Sequence, residues 1–133
     1  YAPVSTRWGI NNRTVSRRVP AGPATSRHLE HRAPGADANP DLVAAVVLAG
    51  MLAGIERGID PGPPVTGNGY ERVAVDLPTR WHESLARAAD SRFLEDALGA
   101  EFLSVLLAVK RQEFEKFTAL VSNRDYEWYL DTV

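Results

Sequence analysis

A chain of 133 residues with 44% hydrophobic content is about one domain in length and apolar enough to build a core. The complete lack of cysteine excludes disulfides, thiolate zinc sites and cysteine nucleophiles, and it leaves the redox compartment open. The net charge of −2 hides an asymmetry: residues 1–32 set six arginines against Glu30 alone, a balance of +5, while the rest carries 9 basic and 16 acidic groups, or −7. A localised positive segment on a near-neutral chain points to a small anionic ligand, whereas a nucleic-acid module selects a basic domain with interleaved surface aromatics. No nucleic-acid partner is expected. Arginine makes up 13 of the 15 basic residues, a bias that GC-rich coding also produces.

In chain order, residues 13–20 alternate in type and are rich in Thr, Val and Ser. Residues 27–32 have the same extended look, and Pro20, Gly22 and Pro23 place a turn region between the two stretches. The simplest reading is a pair of antiparallel strands. Period two then puts His28, Glu30 and Arg32 on one face of the second strand, with Arg27, Leu29 and His31 on the other. Arg13 and Arg18 are five apart, which sets them on opposite faces unless a bulge or a strand end intervenes.

Asn39-Pro40-Asp41 is a helix start: Asn caps free amides, Pro suits the first turn, and Asp complements the dipole. This helix is expected to run to about Arg57 and stop at Gly58. Leu42, Val43, Val46, Val47, Leu48, Met51 and Leu52 make it apolar nearly all the way round, so burial on most sides is expected. Its uncharged run, Leu42 to Ile55, falls short of the ~18 residues of a membrane span, and no membrane association is expected. Residues 60–69, rich in Pro and Gly, read as loop, and Tyr70 as a loop tyrosine. Helical patterns follow over Trp81 to Ala89, Arg92 to Leu98 with Gly99 closing it, about Ala100 to Val121, and Asp125 to Leu130. Trp8, Trp81 and Trp128 read as packing residues.

The motifs Asn12-Arg13 to Arg18-Val19-Pro20, then Leu29-Glu30-His31-Arg32, then Gly35-Ala36-Asp37-Ala38-Asn39-Pro40 resemble the C-terminal part of the catalytic domain of the glutamine synthetase family. The likeness continues through Asp60-Pro61-Gly62 and Lys110-Arg111-Gln112-Glu113, and it is greatest for the branch that joins glutamate to larger amines, such as γ-glutamylpolyamine synthetases. The resemblance implies an α+β fold in which antiparallel strands are followed by a buried helix and a C-terminal helical region. It also implies that residues 1–133 are the C-terminal portion of such a domain. The N-terminal domain and the upstream catalytic half would then lie before Tyr1, and the chain alone would not be a competent enzyme.

The implied activity is an ATP-dependent ligase, in which ATP phosphorylates the γ-carboxylate of glutamate and ammonia or a small amine displaces the phosphate. Arg13 matches the catalytic position that faces the transferring phosphoryl group, ATP and glutamate. Arg18 matches an ATP phosphate contact, Arg32 the clamp on glutamate, and Glu30 a ligand of Mg²⁺ or Mn²⁺. His28, on the Glu30 face, is a candidate to line the ATP site, and His31 reads as a hydrogen-bonded structural histidine. Three positions depart from the family pattern: Asp41 in place of an aromatic residue, Arg17 at a usually apolar position, and Thr25 where some members place a lysine. The family further implies a cytoplasmic location and self-association of the full-length protein into a ring-shaped homo-oligomer. The alternatives are glutamine synthetase proper, using ammonia, and a non-catalytic fragment that binds an anion or docks on a full-length ligase.

Overall fold

A computed structural model describes residues 2–130, which divide into two compact units between Thr79 and Arg80. In the first unit, β1 (Trp8–Ile10), β2 (Arg17–Val19) and β3 (Glu30–His31) form a sheet of order β1-β2-β3. The expected antiparallel pair is present as β2 and β3, with Arg17 opposite His31 and Arg18 opposite Glu30. Both strands are shorter than the extended segments suggested. Residues 13–16 are turn and bend, so a strand end removes the period-two conflict between Arg13 and Arg18.

Strand β1, not anticipated, runs parallel to β2, with Trp8 opposite Arg17 and Ile10 opposite Val19. Parallel neighbours ordinarily need a crossover of roughly a dozen residues. Here residues 11–16 suffice, because strands this short require the chain to retrace only about 10 Å. Asn11 takes a left-handed backbone, φ 49°, at the first step of that return.

Asn12 holds the return loop against residues 65–69. Its Nδ2 donates to the carbonyls of Val65 (3.0 Å) and Gly67 (2.9 Å), and its Oδ1 accepts from Thr14 N (2.9 Å) and Thr14 Oγ1 (2.6 Å). Gly69 N donates in turn to Thr14 Oγ1 at 2.7 Å. The approach is close enough to demand glycine: a Cβ on Gly69 would stand 2.8 Å from Thr14 Oγ1, and one on Gly9 would stand 2.8 Å from both Asn12 Cβ and the Val65 carbonyl oxygen. Trp8 packs here as expected, donating from Nε1 to the Gly62 carbonyl, while its own carbonyl accepts from Val65 N. Val15, Ser5 and Ser16 are buried.

Helix α1 (Pro40–Glu56) begins where the sequence indicated, with Asn39 Oδ1 accepting from Asp41 N and Leu42 N. Its burial, however, does not follow: no residue of α1 is buried, and Leu48 and Ile55 are 64% and 77% exposed. The apolar circumference is real, but this chain does not cover it. Residues 69–72 are a short helix, α2 (Gly69–Arg72), capped by Asn68, so Tyr70 lies on a helix and donates its hydroxyl to the Ala2 carbonyl.

The second unit is helical: α3 (Trp81–Ala89), α4 (Arg92–Leu98), α5 (Ala100–Thr118) and α6 (Asn123–Tyr129). Ser91 caps α4 through Leu94 N, and Gly99, at φ 85°, both ends α4 and starts α5. α5 packs against α3 and α4 and buries Leu103 and Leu107. Trp81 meets Phe114 edge-on at 5.6 Å and Phe117 at 5.8 Å. α5 ends three residues before Val121, and a Ser122/Asp125 capping box starts α6. Trp128 is 60% exposed, with the Arg124 guanidinium carbon 5.7 Å from its ring centroid.

Replacing Asn12 by Ala strands the Val65 and Gly67 carbonyls and should lower the stability of the first unit by about 2–3 kcal/mol. Urea unfolding followed at the amides of 8–19 reads this. A change below about 0.5 kcal/mol would show that Asn12 is not the anchor of the loop.

Candidate anion site

The site grows from the β2–β3 pairing. Because Arg18 and Glu30 are cross-strand partners, their side chains meet: Arg18 Nη1 donates to Glu30 Oε1, and Arg18 Nη2 donates to Asn11 Oδ1. The left-handed turn at Asn11 brings that amide oxygen into reach. The Arg18 side chain is 12% exposed, and its Nε is buried with no hydrogen-bond partner among the described residues. A buried orphan donor on a guanidinium marks a place where an acceptor would be welcome.

Around this pair stand the other sequence candidates. Arg32 lies just past β3 and donates through Nη1 to the carbonyls of Arg13 and Val15, the latter at 3.3 Å. That leaves its other guanidinium nitrogens without a partner among the described residues. Arg13, on the turn that Asn12 pins, is exposed, and its guanidinium makes no hydrogen bond or ion pair among the described residues. His28 Nδ1 sits 2.8 Å from the Ser26 carbonyl. A carbonyl only accepts, so Nδ1 carries the proton in this contact, and Nε2 is left without a partner among the described residues.

Electrostatics unify these groups. The Glu30 carboxyl is held below its ordinary value, first by the hydrogen bond from Arg18, against a smaller opposing effect of desolvation, and then by the charges of Arg18, His28 and Arg13. Arg13, Arg18, His28 and Glu30 therefore share one field, and Arg32 is tied to the Arg13 backbone. His31 lies on the opposite side of the register, beside Arg17; desolvation and that charge lower its pKa. It makes no side-chain hydrogen bond among the described residues, contrary to the structural role expected for it.

Chemically, three arginines and one carboxylate can bind an anion that carries several oxygens. A divalent cation is a different matter. Mg²⁺ takes about six oxygen ligands, and among the described residues there is no group of three His, Cys, Asp or Glu side chains that could hold a metal. Glu30 offers one oxygen, Oε2, outside its ion pair, so these residues alone do not fit such an ion. Asn11 and Asn12 were missed by reasoning on charge. Their signal was the Asn-Asn pair itself, immediately before the first arginine of the cluster, a residue type suited to left-handed turns and backbone bridging.

The sequence matches the family described as "Glutamine synthetase, catalytic domain" over residues 1–129. It is 37% identical over 130 residues to the γ-glutamylputrescine synthetase PuuA of Escherichia coli (strain K12), covering 98% of this chain and 28% of that protein. It is 32% identical over 137 residues to a glutamine synthetase of Methanosarcina mazei, covering 97% of this chain and 31% of that one. Among solved structures, a GmaS/ADP complex superposes with a TM-score of 0.80 at 28% identity, over 98% of this chain and 30% of that chain. The chain thus spans less than a third of the length of these relatives.

The depressed Glu30 value fixes a pH dependence. A carboxyl lowered on folding contributes stability that is fully present above its ordinary value of 4.5 and is lost as pH falls through the folded value. A carbon-detected titration should therefore find the Glu30 carboxyl titrating below 4.5, and Arg18→Gln should move it upward. An unchanged midpoint in Arg18→Gln would contradict the pairing.

Proposed function

The chain belongs to the glutamine synthetase family, and we propose that it supplies the arginine-bearing part of the active site of an ATP-dependent ligase that joins glutamate to an amine. The observation that carries this reading is the Arg18–Glu30 pair, on which the charges of His28 and Arg13 also act, together with Arg32 reaching the backbone carbonyl of Arg13. In the proposed reaction an oxygen of the glutamate γ-carboxylate attacks the γ-phosphorus of ATP and ADP leaves. The amine nitrogen then attacks the resulting acyl carbon, phosphate leaves, and the amine gives up a proton. The product is a γ-glutamyl amide.

Phosphoryl transfer of this kind depends on positioning and on positive charge spread over the transferring oxygens. Arg13, exposed and unpaired, is assigned to that charge and, as the catalytic residue, touches both ATP and glutamate. Arg18, fixed by Glu30 and Asn11, is assigned to an ATP phosphate, where its partnered fork keeps it in one orientation. Arg32 is assigned to a glutamate carboxylate through the guanidinium edge that the Arg13 carbonyl leaves open. His28 Nε2 is assigned to the nucleotide. Glu30 is assigned as one carboxylate ligand toward Mg²⁺ or Mn²⁺, which when bound would supply further charge neutralisation on the phosphates; its other ligands must come from elsewhere in the full-length protein.

The branch follows the likeness to a γ-glutamylputrescine synthetase, and the substrate proposed is a small amine larger than ammonia. A glutamine synthetase proper, using ammonia, is the second reading, and it is favoured by the 32% identity to an enzyme of that name. Residues 1–133 are proposed as the C-terminal portion of the catalytic domain of a cytoplasmic, ring-forming homo-oligomer. Among the described residues no helix is long and apolar enough to cross a membrane. The open surface of α1 is consistent with cover by the rest of such a protein.

The test is product analysis of the full-length protein with glutamate, ATP and, separately, ammonia, putrescine and ethanolamine. γ-Glutamyl amides of the larger amines are expected to dominate, and glutamine as the main product would favour the second reading. In the same protein Arg13→Gln should lower kcat by about 10²–10³-fold. Arg32→Gln should act mainly on the KM for glutamate. Unchanged kinetics in both variants would remove the assignment, and vigorous amide formation by the 133-residue chain alone would eliminate the non-catalytic alternative.

A further inference from the structure

The Asn12-anchored loop also contributes to a second arginine-lined hollow. It is an open cleft of about 360 Å³ whose lining includes Arg7, Pro63, Pro64, Val65, Arg72 and Val73 and no acidic residue. Neither Arg7 nor Arg72 forms an ion pair among the described residues. The acidic side chains nearest in sequence are engaged elsewhere. Glu71 accepts from Asn68 Nδ2 at 2.6 Å, and Asp76 accepts from Thr6 N and Oγ1 at 2.6 and 2.7 Å.

The Arg72 guanidinium is also set in place. It lies over Gly67, whose φ of 75° favours glycine, and the position of a Cβ there would be 3.2 Å from Arg72 Nε and 3.4 Å from its Cζ. The missing side chain makes room for the guanidinium. The lining is held by hydrogen bonds: the Val65 and Gly67 carbonyls accept from Asn12 Nδ2, the Arg7 carbonyl accepts from Arg17 N and Ser16 Oγ, and Val73 N donates to the Gly69 carbonyl.

We propose that this cleft binds a small organic anion, with its carboxylate or phosphate held between Arg7 and Arg72 and its apolar body against Pro63, Pro64, Val65 and Val73. The two guanidinium groups supply charge-assisted donors that match oxyanion geometry. The proline and valine wall selects against a bare inorganic ion by offering apolar area that only an organic body can cover. The site is separate from the Arg18–Glu30 cluster and stands whether or not the ligase reading does.

The probes are phenyl phosphate, benzoate and inorganic phosphate, titrated into the ¹⁵N-labelled 133-residue chain. Phenyl phosphate and benzoate should move the amides of Val65, Thr66, Gly67, Val73 and Ala74, and inorganic phosphate should bind at least about fivefold more weakly. Arg7→Gln and Arg72→Gln should each weaken binding by about tenfold, and Arg7→Lys and Arg72→Lys should restore part of it. Arg27→Gln removes the same charge from an exposed position away from the cleft and should leave binding unchanged. Dispersed amide spectra confirm that each variant folds. The proposal is overturned by no binding, by equal binding of inorganic phosphate, by retention of affinity in the Arg7 and Arg72 variants, or by shifts confined to residues 13–32.

Discussion

The ion pair between Arg18 and Glu30 is the contact on which the first unit's chemistry depends. Six arginines in the first 32 residues repel one another, and a single carboxylate in register across β2 and β3 gives them a focus. The pair fixes an arginine whose side chain is 12% exposed, and it leaves Arg18 Nε buried without a partner among the described residues. Burying an unpartnered donor costs folding free energy, on the order of 1–3 kcal/mol for a polar group. An anion accepting from that nitrogen would recover the cost on binding.

A second layer of hydrogen bonds holds this focus in place. Asn12 uses both donors and its acceptor to bind the turn carrying Arg13 to the loop at 65–69, and Gly9 and Gly69 allow the backbones to approach that closely. Arg32 Nη1 reaches back to the Arg13 carbonyl, while the Arg13 guanidinium has no partner among the described residues. The same loop contributes to the lining of the Arg7–Arg72 cleft, so one anchor serves two positive surfaces.

Local patterns were legible where the physics is local. The cap at Asn39 and the stop at Gly99 are each decided by a few neighbouring atoms, and the helices appear where those residues indicated. The β2–β3 pair was readable in outline, whereas the facing of Arg18 and Glu30 follows from a register that alternation alone does not give. β1 was not readable: its partner lies across a six-residue return that depends on the left-handed Asn11 and on Asn12 bonding to a loop more than fifty residues away. The roles of Arg13 and Arg32 came from likeness to a family, since composition distinguishes neither from any other surface arginine. The burial of α1 failed for another reason. An apolar circumference states what a helix needs, and whether a given stretch of chain supplies it is a matter of tertiary structure.

The central claim is that one cluster, centred on Glu30, receives the phosphates of a nucleotide and the carboxylate of glutamate. A crystal structure of the full-length protein with ADP and glutamate tests it most directly. The account predicts phosphate oxygens within hydrogen-bond distance of the Arg13 and Arg18 guanidinium groups, and a glutamate carboxylate on Arg32. Nucleotide and glutamate bound away from these side chains, with the Arg18–Glu30 pair facing bulk solvent, would contradict it.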